Sequence, residues 1–139
     1  MSDMTAPALP REATLAFEDP AMAEHLASLP AAAIDVLPYG VIGFDRHGEV
    51  TLYNAREAAA AGLSATSVLG RHMFEEIGPC MNTDLVAGRF EAEEELDVCI
   101  PFVLTLRMRP TPVTLRLIKR AGDPRRWLLL RRIQRAAAA

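Results

Sequence analysis

The sequence predicts a single α+β domain, in which a five-stranded antiparallel sheet carries short helices on one face and a helical cap at its N-terminus. Two observations predict it. A hairpin pattern comes early in the chain, and a run of short helical segments then leads to three further strands. Because strands and helices are grouped rather than alternating, a parallel dinucleotide-binding fold is excluded.

The composition fits one domain with a substantial core. The chain has 139 residues, of which 50% are hydrophobic, and a formal net charge of −3. That charge argues against general nucleic-acid binding, and no run of about 18 apolar residues marks a membrane span. No signal peptide is visible, and two cysteines do not make a disulfide framework. We therefore expect a soluble cytoplasmic protein with reduced thiols.

The N-terminal part is expected to cover the sheet. Residues 1–30 are predicted as an arm and helical cap, in which residues 1–13 are irregular and a short amphipathic helix follows Pro20. Residues 31–135 form the predicted main domain, beginning with a second helical turn, and residues 136–139 form a frayed tail.

A β-hairpin is predicted over residues 39–53. Turn residues ending in Gly48 separate its two strands, because glycine accepts positive φ angles there. In the second strand, simple alternation places Val50 and Leu52 on one face and Tyr53 on the other.

Helical segments are predicted at residues 55–61, 67–69 and 73–77, with a longer helix at 83–95. Asn54 is suited to cap the first of these helices, and Gly62 is suited to end it. The longer helix would pack through Leu85, Val86 and Phe90, with its glutamates exposed.

Three strands are predicted at residues 98–108, 113–118 and 127–133. In the first of them, Leu104 and Met108 fall on the same face. Arginines alternate with apolar residues in the last strand and include Arg131 and Arg132, which are expected to face solvent.

The candidate site lies between residues 53 and 80. Tyr53 and Glu57 are four residues apart, so in a helical turn they share a face, and both can hydrogen-bond a ligand oxygen. Cys80 follows the break at Gly78 and Pro79 and is a strong nucleophile. This set suits a small, covalently attached anionic ligand. Taken singly, Cys80 also fits a small buried hydrophobe, Tyr53 a core tyrosine, and Glu57 a solvated helix face.

Other chemistry has less support. Cys99 fits a structural role or a redox pair with Cys80. His25, His47 and His72 show no metal-ligand spacing, and His72 alone is placed to serve as an axial haem ligand. No base is positioned in the sequence to activate Cys80, so an enzyme is not expected.

Over residues 38–133 the sequence resembles the photoactive yellow protein family, blue-light receptors of the PAS class. The order and spacing of the matching stretches leave almost no gaps. These stretches are Tyr39–Asp45, Leu52–Glu57, Val68–Arg71 with Phe74, Gly78–Cys80, Met108–Thr111 with Val113, and Trp127. The resemblance implies a PAS fold, with residues 31–135 as a sensor domain.

The resemblance also implies roles for single residues. Cys80 would carry p-coumaric acid as a thioester, and Tyr53 and Glu57 would hydrogen-bond its phenolate oxygen. Met108 would lie beside the chromophore and assist its thermal return from cis to trans. Glu57 would be protonated and would give its proton to the phenolate after isomerisation. The resulting buried carboxylate would lack a partner, and relief of that cost would partly open the N-terminal helices.

Two positions depart from the pattern that the resemblance implies. Ala61 stands where a threonine is usual, and Leu63 where an arginine is usual. These departures favour an alternative, a PAS-type regulatory module that binds another small ligand or haem, or senses redox state through Cys80. A flavin-type sensor is excluded, because the residues after Cys80 do not fit its motif. In either case we expect a separate downstream signalling partner, no nucleic-acid or membrane partner, and a monomer or weak dimer.

Overall fold

The computed structural model describes residues 15–105 and 109–133 and confirms the predicted fold class. Five antiparallel strands form one sheet in the order β2-β1-β5-β4-β3. The strands are β1 (Gly40–Phe44), β2 (Val50–Tyr53), β3 (Leu96–Leu104), β4 (Thr111–Lys119) and β5 (Arg126–Arg132). The predicted arm at residues 1–13 and the tail at 136–139 lie outside the described residues.

Short helices flank the sheet, together with a π-type turn at Met73–Ile77 and a 3-10 turn at Pro79–Met81. The helices are α1 (Met22–Ser28), α2 (Ala31–Asp35), α3 (Ala55–Ala61), α4 (Ala65–Val68) and α5 (Ala87–Ala92). Asn54 caps α3 through its side chain, and Gly62 ends it with a φ of 73°, as expected. Within the described ranges, no helix has the length and apolar character needed to cross a membrane.

Of the helix expected at residues 83–95, only α5 (Ala87–Ala92) is formed. Residues before it form a turn, in which the Oγ1 atom of Thr83 accepts a hydrogen bond from the backbone N–H of Leu85 at 3.2 Å. A threonine side chain thereby offers the backbone a local alternative to a helical bond. Val86 and Phe90 are buried as expected, but Leu85 is 62% exposed, so its predicted packing is wrong.

A β-bulge in the hairpin decides the direction of Tyr53. The Cα partners are Phe44 with Val50, Gly43 with Leu52, and Ile42 with Tyr53. Thr51 is therefore an extra residue in β2, and the side-chain alternation reverses after it. Consequently Val50 and Tyr53 share a face, and the prediction that Val50 shares a face with Leu52 is wrong.

The sheet separates two hydrophobic clusters. The site cluster lies between the sheet and the segments that follow β2, and includes Ile42, Tyr53, Val68, Met73, Met81, Leu128 and Leu130. The cap cluster includes Leu15, Phe17, Met22, Leu26, Ile34, Trp127 and Leu129. Because Leu128 and Leu130 alternate with Trp127 and Leu129 along β5, the clusters lie on opposite faces. The N-terminal cap thus covers the face opposite the candidate site.

A buried arginine fixes the segment before α1 to the sheet. Arg116 of β4 is 4% exposed, and its Nη1 donates hydrogen bonds to the backbone carbonyls of Phe17 at 2.8 Å and Asp19 at 2.9 Å. Its Nε and Nη2 donate to the Asp97 carboxylate, each at 2.8 Å. The cap is therefore held through main-chain oxygens, a contact that the sequence pattern does not indicate.

Candidate functional site

Tyr53 places a hydroxyl in the apolar interior. The residue is 4% exposed within the site cluster, and the hydroxyl has no hydrogen-bond partner among the residues that the structure describes. Burial raises the pKa of Tyr53, and the charge of Glu57 raises it further, while that of Arg132 lowers it. An unsatisfied buried polar group costs about 1–3 kcal/mol, so this hydroxyl is suited to a ligand oxygen.

Asn54 fixes the start of α3 to the neighbouring segments. It is fully buried, and its Oδ1 accepts hydrogen bonds from the backbone N–H groups of Val41 and Glu57, both at 3.0 Å. Its Nδ2 donates to the carbonyls of Ile34 and Tyr39, also at 3.0 Å. The direction in which α3 leaves the hairpin is thereby set, and with it the position of Glu57.

Glu57 is buried and paired with Arg132. Its side chain is 3% exposed, and its oxygens accept hydrogen bonds from Nη1 of Arg132 at 2.7 Å and from Nη2 at 3.1 Å. The hydrogen bond that Arg132 donates to Glu57 raises the pKa of Arg132, against the lowering effect of burial. Two parallel bonds are the geometry of a carboxylate with a guanidinium. The predicted solvent-facing position of Arg132 is therefore wrong, since its side chain is 26% exposed and turns toward α3.

Cys80 lies in the 3-10 turn as a free, half-buried thiol that packs against the site cluster. Tyr53 belongs to that cluster, so the thiol and the hydroxyl border the same apolar region. At Gly78 a β-carbon would lie 2.6 Å from Cε of Met81 and 3.0 Å from Cε of Met73. The glycine thus lets the turn pack closely on two methionines, whose side chains can rearrange around a ligand.

Cys99 lies on the other side of the sheet. It is free and exposed, and it pairs with Arg116 of β4, whereas its neighbours Val98 and Ile100 pack against the site cluster. Successive strand residues point to opposite faces, so the sheet separates Cys99 from Cys80. The redox pair considered from the sequence is therefore not formed.

The side chain of His72 caps the turn at Met73–Ile77. Its Nδ1 accepts hydrogen bonds from the backbone N–H groups of Phe74 at 3.2 Å and Glu75 at 3.1 Å. Its Nε2 lies against the hairpin turn, where a β-carbon at Gly48 would be 2.3 Å away. Both edges of the ring are thus engaged, which does not favour the axial haem ligand expected as an alternative. No group of three or more His, Cys, Asp or Glu side chains in the described ranges could hold a metal ion.

Comparison with known proteins relates this arrangement to a family. A family model described as the PAS fold matches residues 28–131. The photoactive yellow proteins of Rhodothalassium salexigens and Halochromatium salexigens are each 31% identical over 111 residues, covering 78% of this chain and 89% of theirs. The chain belongs to the photoactive yellow protein family of PAS domains. The photoactive yellow protein domain of the sensor histidine kinase Ppr from Rhodospirillum centenum agrees, with a TM-score of 0.71 and 31% identity over 78% of this chain and 97% of that one.

Ala61 and Leu63, the two positions expected to depart from the family pattern, lie together at the C-terminal end of α3. Ala61 is buried and Leu63 is 38% exposed. Both line a cavity of about 230 Å³, with Ser67, Val68, Arg71, Glu76 and Ile77. Arg71 forms an ion pair there with Glu76 at 2.9 Å. The cavity is therefore lined by an arginine, although position 63 is a leucine.

Of the predicted site residues, Tyr53 and Glu57 are brought together and Cys80 shares the apolar cluster of Tyr53. Met108 lies outside the described residues, so its place beside a chromophore stays a prediction. Arg132 was missed, although the sequence holds a signal for it. It alternates with the core residues Leu128 and Leu130 on β5, which places it on their face.

Proposed function

We propose that this protein is a blue-light photoreceptor that carries p-coumaric acid as a thioester on Cys80. The observation that supports it most is the unpaired, buried hydroxyl of Tyr53 on the apolar cluster that also contacts the Cys80 thiol. The hydroxyl suits a phenolate oxygen at one end of a flat ligand, and the thiol suits attachment at the other. The bound chromophore would supply light absorption and isomerisation about its double bond.

The protein side of the chemistry rests on Tyr53 and Glu57. The hydroxyl of Tyr53 donates a hydrogen bond to the anionic oxygen, and a protonated Glu57 donates a second. Burial strengthens both bonds because little water competes for the oxygen. After isomerisation Glu57 would give its carboxyl proton to the phenolate oxygen of the ligand, which becomes a neutral hydroxyl. The O–H electron pair stays on Glu57, so the negative charge moves from the ligand to a carboxylate in the interior.

The signal would then be a partial opening of the N-terminal cap. Support comes from β5, on which Arg131 and Arg132 point to opposite faces. Arg132 binds Glu57, while Arg131 binds Glu18 and its guanidinium carbon lies 4.4 Å from the ring centroid of Phe17 in the cap cluster. A change in the contact between Glu57 and Arg132 would therefore act on β5, the strand whose Arg131 contacts the cap. We propose a separate cytoplasmic signalling protein as the receiver, and a monomeric or weakly dimeric receptor.

The mass of the intact protein after incubation with activated p-coumarate tests this function. We expect wild type and Cys99→Ala to gain one coumaroyl group and a visible absorption band, and Cys80→Ala to gain neither. Cys99→Ala is the matched control, because it removes the exposed thiol on the opposite face. A Cys80→Ala protein that still binds the same pigment tightly would contradict the thioester.

One observation favours a second candidate, a PAS-type module for a different anionic ligand. Glu57 already has both oxygens on Arg132, so a ligand could use Tyr53 and Arg132 without a proton from Glu57. In the same experiment, the absence of any adduct on Cys80 would favour this candidate.

A further inference from the structure

The Glu57–Arg132 pair gives the site a component that the proposed chemistry does not use. Light-driven release of a proton from Glu57 would leave a carboxylate in the interior, and an uncompensated buried charge is costly. In the structure that carboxylate has a partner, because Arg132 holds both of its oxygens at 2.7 and 3.1 Å. The ion pair is therefore the arrangement suited to an ionised Glu57.

The neighbouring strand leaves room for this pair. At Gly40 of β1 a β-carbon would lie 2.2 Å from Oε1 of Glu57, so the carboxylate occupies space that any side chain would fill. Arg132 reaches the same place from the end of β5, on the face of Leu128 and Leu130. The backbone N–H of Glu57 donates a hydrogen bond to Oδ1 of Asn54 at 3.0 Å, which fixes one end of the contact. Arg132 is paired with Val113 in the sheet, which fixes the other.

Few charged groups face the carboxylate. Tyr53 approaches it from β2, and Arg132 from β5. Arg56 of α3 lines a surface groove of about 550 Å³ together with Arg132, so solvent reaches the guanidinium from outside. Among the described residues, Arg132 is the cation that contacts Glu57.

We propose that Arg132 is a positioning residue that binds the carboxylate of Glu57 once its proton has left. Glu57 thus alternates between a hydrogen bond to the ligand oxygen and an ion pair with the guanidinium. This inference rests on the proposed function. When Glu57 is protonated, it donates a hydrogen bond to the ligand oxygen, and the guanidinium of Arg132 faces the solvent of the groove. When Glu57 is ionised, Arg132 neutralises it within the site. The pair thereby opposes reprotonation and prolongs the signalling state.

The first arm of the test uses the protein without any ligand. The infrared carbonyl stretch of a protonated carboxyl reports the state of Glu57 at neutral pH. We expect no such band from a buried carboxyl in wild type, a band in Arg132→Gln, and its loss in the double variant Arg132→Gln with Glu57→Gln. Arg132→Lys keeps the charge and should restore the wild-type spectrum. The same band in wild type as in Arg132→Gln would overturn the proposal.

The second arm uses protein loaded with p-coumarate. We expect Arg132→Gln to return to the dark state at least threefold faster than wild type, because an unpaired carboxylate regains its proton more readily. Arg126→Gln is the matched control, since it lies on the same strand and face at the far end and should leave the rate unchanged. Unchanged recovery in Arg132→Gln would overturn the role in the signalling state. Failure to form any adduct would instead overturn the proposed function, and the first arm would still decide whether Arg132 is the counter-ion.

Discussion

Among single residues, the buried carboxylate of Glu57 has a large effect on the free energy of folding. Removing one partner of a buried ion pair costs about 3–5 kcal/mol, whereas an exposed pair contributes about 1 kcal/mol or less. Glu57 belongs to the first class, with 3% of its side chain exposed, and Arg71–Glu76 to the second, with 53% and 44%. Loss of Arg132 while Glu57 is ionised would therefore destabilise the fold more than loss of Arg71 would.

Substitution of Gly40 tests where that carboxylate lies. A methyl group on Gly40 would meet Oε1 of Glu57 at 2.2 Å, so we expect Gly40→Ala to lower the free energy of unfolding by about 1–3 kcal/mol in urea denaturation. Gly88→Ala is the control, because its nearest neighbour is a side-chain oxygen of Asp84 at 3.2 Å and it lies within α5. That change should be neutral or stabilising by up to about 1 kcal/mol. Equal stability of Gly40→Ala and wild type would show that Glu57 does not occupy this position.

At the scale of elements, helix caps and turns could be predicted from the sequence, whereas strand register and long-range contacts could not. Asn54 and Gly62 were predicted correctly, because a cap and a positive φ depend on adjacent residues. The bulge at Thr51 depends on the pairing of β2 with β1, so alternation alone misplaced Leu52. Arg132 was misassigned for a similar reason, since its partner Glu57 is remote in sequence and only the fold brings them together.

The cap is the element whose attachment can be tested directly. We expect Arg116→Met to speed amide hydrogen exchange in residues 15–28, because the carbonyls of Phe17 and Asp19 lose their donor. Arg120→Met is the matched control, as Arg120 contacts Glu24 at 3.8 Å in an exposed pair and should change exchange little. Equal exchange in the two variants would mean that Arg116 does not hold the cap.

At the scale of the whole molecule, buried tyrosines link stability to alkaline pH. The chain has two tyrosines, and burial raises the pKa of Tyr39 to about 12 and also raises that of Tyr53. The unfolded chain releases these protons near pH 10, before the folded protein does. The stability contributed by the neutral tyrosines is thus complete below pH 10, and is lost as pH rises toward the folded pKa values.

Two spectroscopic titrations check this link. We expect tyrosinate absorbance to appear well above pH 10 in the folded protein and near pH 10 in urea. Tyr39→Phe should flatten the decline of stability between about pH 10 and 12, although loss of the 2.8 Å hydrogen bond to the Leu15 carbonyl costs about 1 kcal/mol at neutral pH. Formation of tyrosinate near pH 10 in the folded protein would contradict the burial of both hydroxyls.

The central claim, that light acts on a ligand held between Cys80 and Tyr53, is tested most directly by absorbance of the loaded protein under blue light. We expect the visible band to bleach during illumination and to return in the dark over repeated cycles. A band that does not change in light, or that bleaches once without return, would contradict a photoreceptor and leave a PAS domain that binds a pigment without responding to it.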